Sequence, residues 1–155
     1  MFKAKVIRTK VGKGAAGLFG AFRGPDKVLV GFPSGEADSD VIERAVYNNF
    51  GTSRGIPERP FMQNAMRNHR REYQAMMKTE ARNIVLGAVR GQDASRTKVN
   101  ALKRLGIKAQ GDIQAEITSL DTPPNAPSTI RQKGSSNPLI DTGEMRNSVS
   151  YKIED

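Results

Sequence analysis

Few residues in this chain have the types and spacing to do chemistry. Gly12, Gly14 and Gly17, in "GKGAAG", match the spacing of a dinucleotide-binding turn and follow a predicted strand. Such a turn holds pyrophosphate only where a helix starts at once, because the amides of the helix N-terminus supply the hydrogen bonds. Here the chain continues "LFGAFRGPD", with two more glycines and a proline, so no helix can start and the segment reads as a loop. The single histidine, His69, has no evident orienting partner and no nucleophile at a matching position, both of which a general base requires. It reads as a packed or half-exposed helix residue. Glu36, Asp38 and Asp40 alternate like calcium ligands, but the twelfth position from Glu36 is Tyr47, not a bidentate glutamate. Acidic charge complementing the start of a helix is the better account. With no Cys there is no disulfide, thiol chemistry or cysteine-held metal. The expectation is a protein with no catalytic set, no metal and no cofactor, and not an enzyme.

Charge is the stronger signal. Lys and Arg number 25 against 16 acidic residues, a net +9, which points to polyanions or acidic proteins as neighbours. Arg67, Arg70, Arg71, Lys78 and Arg82 fall on one helix face, and Arg96, Lys98, Lys103, Arg104 and Lys108 form a second cluster. Arg67, Arg70, Arg71, Lys103, Arg104 and Lys108 are the candidates for lining a DNA channel through phosphate contacts. No zinc finger, RNA-recognition aromatic pattern or helix-turn-helix accompanies them, so any such contact is expected to be non-specific. Met62, Met66, Met76 and Met77 read as adaptable core filler. No stretch is long and apolar enough to span a membrane, and the N-terminus lacks the apolar run of a secretory signal.

These residues need elements to position them. Phe2, Ala4 and Val6 alternate with Lys3 and Lys5 as in a half-buried strand, and "KVLVGF" from Lys27 to Phe32 is a second β-prone run. The Gly-rich connection between them predicts a long hairpin link, with Leu18, Phe19 and Phe22 as apolar contacts awaiting a partner. A helix is predicted to start at Asp38, Ser39 or Asp40, to carry Val41 and Ala45 inward, and to stop at Gly51. From Pro60 the spacing predicts a long helix to Gly91. Its inner stripe is Met62, Met66, His69, Tyr73, Met76, Glu80, Ile84 and Ala88. A second long helix starts near Asp93 or Ser95, with Val99, Leu102, Gly106, Ala109, Ile113, Ile117 and Leu120 inward; Gly106 suits a close approach by another backbone. "DTPPNAPSTIRQKGSSNP", Asp121 to Pro138, has four prolines and predicts a linker without regular structure. Asp141 to Glu144 has the spacing of a capping box with Asp141 as cap, and Val149, Tyr151 and Ile153 alternate as a final strand.

Two segments carry a resemblance to a known family. "VYNNFGTSRGIPERPFMQNAM" resembles an element of tailed-bacteriophage morphogenesis proteins in which an NEFGT stretch and an IPxRPF turn precede a long helix. "GSSNPLIDTGEMRNSVSYKI" resembles the C-terminal element of the same family, and both occur here in the family's order. Asn49 stands where the family commonly has Glu. The family is that of tail-completion or head–tail joining (neck) proteins, also called phage virion morphogenesis proteins. The resemblance implies a structural subunit of a ring that completes the tail and joins it to the head connector around the DNA channel. The implied partners are copies of itself, the connector or adaptor, the tail terminator or tail tube proteins, and DNA passing through. The location implied is the virion neck, by way of the host cytoplasm during assembly.

The expectation is therefore one α+β domain over 1–155: a small mostly antiparallel sheet, two long helices, and extended Gly-rich and Pro-rich arms at 10–26 and 121–138. Phe19, Phe22, Arg54, Glu58, Arg59, Phe61, Leu139, Asp141 and Arg146 are the expected subunit or partner contacts. The alternative from another class is a small basic protein that binds nucleic acid non-specifically.

Overall fold

The computed structural model describes Phe19, residues 23–33 and residues 35–155. The expected strand at 2–8, the glycine fingerprint at 12–17 and Phe22 lie outside the described residues. Within them the fold is α+β. Strand β1 (Lys27–Gly31) is followed by helices α1 (Ser39–Phe50), α2 (Phe61–Asn68), α3 (Arg70–Val89), α4 (Ala94–Ser119), α5 (Pro127–Lys133) and α6 (Glu144–Asn147), then strand β2 (Ser150–Glu154). The two strands pair antiparallel, with Lys27 opposite Glu154 and Gly31 opposite Ser150. Residues near the two ends of the described chain thus share the only sheet seen among the described residues.

Helix α4 is the spine. At 26 residues it is about 39 Å long, and α2, α3, α6 and both strands lie against it. The Asp93 side chain caps it by accepting from the Arg96 amide at 3.1 Å. Of its expected inner stripe, Gly106, Ala109, Ile113, Ile117 and Leu120 are buried, whereas Val99 and Leu102 are half-buried and the unexpected Ala94 and Ala101 are buried in the N-terminal part. The close approach at Gly106 is made by a ring and not by backbone: a Cβ there would lie 2.5 Å from Cδ2 of Tyr151. That contact seats β2 on α4.

The core joins the ends of the chain to its middle. Val41 and Ala45 of α1, Phe61 and Ala65 of α2, Ile113 and Ile117 of α4, and Leu139, Met145 and Val149 of the C-terminal segment form one buried cluster. Phe32 meets Phe61 edge-on, with ring centroids 6.4 Å apart.

Three local expectations are corrected. The single helix expected from Pro60 is interrupted at His69, whose φ of −100° and ψ of 8° leave the helical region. Backbone hydrogen bonds on either side, His69 N–H to Ala65 O and Tyr73 N–H to His69 O, keep α2 and α3 continuous as a stack. Pro60 sits just ahead of α2 as its cap. The segment 121–138, expected to be without regular structure, contains α5, opened by Pro127 in its first turn and closed by Gly134 in the left-handed region. The capping box is displaced as well. α6 begins at Glu144 after Gly143 with φ 83°, and it is Thr142, not Asp141, whose hydroxyl accepts from the Glu144 amide.

Candidate functional site

The two segments that carry the family resemblance meet in space. Helix α1 must stop before the corner that follows it, and Gly51 stops it with φ 70°. A side chain at that position would be strained by the dihedral, and its Cβ would meet the Glu58 amide at 2.9 Å. The chain then folds over itself: Thr52 N–H donates to Ile56 O at 2.8 Å, and Arg59 N–H returns to Asn48 O at 2.8 Å. Buried Asn49 fastens the far side, its Oδ1 accepting from the Met62 amide at 3.2 Å. The corner delivers Arg59 inward, where it is 4% exposed.

There the Arg59 fork grips the Pro-rich segment. Its Nε donates to Pro123 O at 2.8 Å and its Nη2 to Pro124 O at 3.1 Å and to Asn125 Oδ1, while Nη1 donates to Asn48 Oδ1. Each acceptor is neutral, so the charge is held by dipoles without a carboxylate, and burial lowers the pKa of the guanidinium from its usual value. Asn137 organises the other bank. Its Oδ1 accepts from the Leu139 and Ile140 amides and its Nδ2 donates to Thr118 O, while its carbonyl accepts from Asn125 and Lys133. Arg44 closes the site from α1, donating to Glu144 Oε2 at 2.6 Å across 100 positions of sequence.

Between these banks lies an open groove of about 630 Å³ lined by Asn48, Ile56, Pro57, Arg59, Thr129 and Lys133 among others. A smaller recess of about 150 Å³, bordered by Arg44, Asp141 and Glu144, shares Asn48, Lys133 and Pro138 with it. Lys133 donates only to backbone carbonyls. Burial lowers its pKa, and Asp141 only partly opposes this.

The expected contact residues separate into two groups. Arg54, Glu58 and Asp141 are exposed and Arg146 is half-buried; Phe19 is 66% exposed. Phe61 and Leu139 are instead core residues, at 0% and 6% exposure, and have no surface to offer a partner. Arg59 is taken up by its own chain. The expected channel cations also divide. Arg67, Arg70, Arg71 and Lys103 are exposed, without an ion pair among the described residues. Arg104 is bidentate to Glu80 at 2.8 and 2.6 Å, and Lys108 bridges Glu72 and Asp112, so these two fasten α4 to α3 instead of standing free for phosphate.

His69 has neighbours that spacing alone did not show: its Nδ1 lies 3.3 Å from Glu72 Oε1 and its Nε2 lies 3.8 Å from Asp112 Oδ1. Tyr73 donates to Asp112 Oδ2 at 2.7 Å. The one amine at this set, Lys108, is held in ion pairs with Glu72 and Asp112, and the set lines none of the described cavities; its chemistry is that of a polar clasp between α3 and α4. Glu36, Asp38 and Asp40 do not gather around a common point with any third ligand, and no metal-holding group of three such residues occurs among the described residues. Sequence reasoning missed Lys133 and Asn137. An Asn directly before Pro138 was the available signal, because such a residue favours turn formation through its own side chain.

No family model, no curated protein and no solved structure matches this chain.

Proposed function

We propose that the protein is a structural subunit of a bacteriophage neck, forming a ring that completes the tail and joins it to the head connector around the DNA channel. The observation that supports this best is the convergence of the two segments resembling the neck family. They are distant in sequence, yet Phe61 and Ala65 of the first share a buried cluster with Leu139, Met145 and Val149 of the second, and Asn125, accepting from Arg59 and donating to Asn137 O, links their surfaces beside an open groove. A motif pair that builds a rigid corner and a groove suits a part that must meet neighbours repeatedly. Residues 10–26 and 121–138 are the segments proposed to reach adjacent subunits, the second from the base that α5 gives it. Ring closure requires head-to-tail contacts between unlike surfaces of identical copies.

The test is an image of the particle neck with this protein labelled, together with particles assembled without it. Label at the head–tail junction, and unjoined heads and tails in its absence, are expected. Label elsewhere, or normal joining without the protein, would overturn the reading.

A second reading, non-specific nucleic-acid binding, draws on exposed Arg67, Arg70, Arg71 and Lys103. It requires affinity for duplex to fall steeply with salt, by about 0.9 log unit per log unit for each phosphate neutralised. A flat salt response would exclude it.

A further inference from the structure

The groove is unusual in its charge. Arg59 and Lys133 both line it, both are desolvated, and each donates only to neutral acceptors. No Asp or Glu is among the lining residues. Arg59 is buried among neutral acceptors and half-buried Lys133 is only partly offset by Asp141 beside the groove, so an arriving carboxylate relieves a desolvation cost while being steered by the field it enters.

The same chain carries an unspent acidic surface elsewhere. The turn ahead of α1, closed by the Glu36 amide donating to Pro33 O at 3.1 Å, presents Glu36 and Asp38 to solvent. Asp38 occupies the cap position of α1 but makes no side-chain capping bond. Neither carboxylate has an ion pair among the described residues; in this cluster only Asp40 does, with Arg44. Asp38 and Asn48 stand at opposite ends of α1, about 15 Å apart along its axis. The acidic turn therefore cannot enter its own groove. Two complementary surfaces that one copy cannot join to each other are the requirement for a head-to-tail contact that propagates from copy to copy.

We propose that the Glu36–Asp38 turn of one copy docks its carboxylates into the groove of the next, beside Lys133 and Arg59. This rests on the ring reading above and specifies its contact. The occupant is a second copy of this chain, and the two-residue acidic turn is the part inserted.

Charge reversal tests it, read by native mass spectrometry and sedimentation of the full chain at low ionic strength. Glu36→Lys/Asp38→Lys and Lys133→Glu should each weaken self-association by at least about tenfold, and one chain carrying all three changes should recover most of it, because the pairs are then swapped and not broken. Assembly indifferent to reversal at 36 and 38, or no recovery in the combined variant, overturns the docking while leaving a ring intact. Wild-type protein that never self-associates removes the ring and the docking together. Because Lys133→Glu also loses bonds within its own chain, a second variant stands apart from folding. The chain has no Cys, so exposed Ser39→Cys, which keeps both carboxylates, with Thr129→Cys can form disulfides only as these pairs permit, and bridged Cα atoms must lie within about 7 Å. A ladder of covalent oligomers is expected on oxidation; monomers alone overturn the contact. If Lys133→Glu instead abolishes binding to a short DNA duplex while association persists, the groove belongs to phosphate.

Discussion

Around the C-terminal half of α4, Ile113, Ile117 and Leu120 lie in a closed apolar core with Phe61, Leu139 and Val149. Where it faces α3, from Ala94 to Asp112, the same helix is held through Arg104–Glu80 and the Lys108–Glu72–Asp112 cluster. This seam leaves Met77, Val85, Leu86 and Val89 of α3 and Ile107 of α4 exposed. Where its backbone does close up, the buried contacts are the small side chains Ala88, Ala94 and Ala101. One helix thus serves two regimes. Apolar burial that excludes water sets the fold near the motifs, whereas ion pairs in contact with water hold register further out and contribute little.

The contrast can be broken at its strongest point first. Phe61→Ala removes a fully buried ring from the core and should cost about 3–5 kcal/mol in chemical denaturation. Arg59→Lys should cost about 2 kcal/mol although charge is retained, because an ammonium cannot reach Pro123, Pro124 and Asn48 together and leaves acceptors unpaired. A thermal melt that matches wild type would show that the fork is not what holds the Pro-rich segment. The two glycines of α4 give an internal control. Gly106→Ala drives a methyl into the Tyr151 ring and should destabilise by about 1–3 kcal/mol. Gly111→Ala meets open space and should stabilise by up to about 1 kcal/mol. Equal signs for the two would refute the close seating of β2.

The outer half predicts smaller and condition-dependent effects. Glu80→Gln should cost about 0.3–1 kcal/mol, shrinking as salt is raised. The Arg104 guanidinium beside Glu80 holds that carboxyl below its ordinary 4.5, so the contribution is present above that value and fades as pH falls through the lower folded one. Tyr73 has the opposite sense. Burial, then its bond to Asp112, pushes the phenol up from 10.0. The folded chain therefore keeps a proton that the unfolded chain releases, so stability should begin to decline as pH rises past 10.0 and go on declining up to the higher folded value. Tyr73→Phe should remove that slope; an unchanged slope would locate the alkaline loss elsewhere.

The legible parts of the fold were those fixed by local periodicity. The inner stripe of α4 from Gly106 onward, the stop at Gly51 and the alternating final strand each depend on neighbours a few positions away, and each is observed. The break at His69 was not legible, because a three-four stripe reads through a residue whose dihedrals are set by packing. Nor was α5, since four prolines suppress a helix signal even where Pro127 is favourable at its start. Of the site, Arg59 was visible as a special residue, but its role was not: a charged side chain in a turn reads as exposed unless its acceptors, here the carbonyls of Pro123 and Pro124, are known.

By itself the sequence determined where α1, α4 and the two paired strands form, that the chain is strongly basic, and that two motif-bearing corners exist, because propensity, spacing and charge are local properties. Tertiary structure alone decided that β1 pairs with β2, that Phe61 and Leu139 turn inward, and that Arg104 and Lys108 are spent on α3. It also decided that Arg59 and Lys133 share a groove without a carboxylate. Those outcomes depend on which distant groups arrive within a few ångströms, and burial and charge compensation are settled only there.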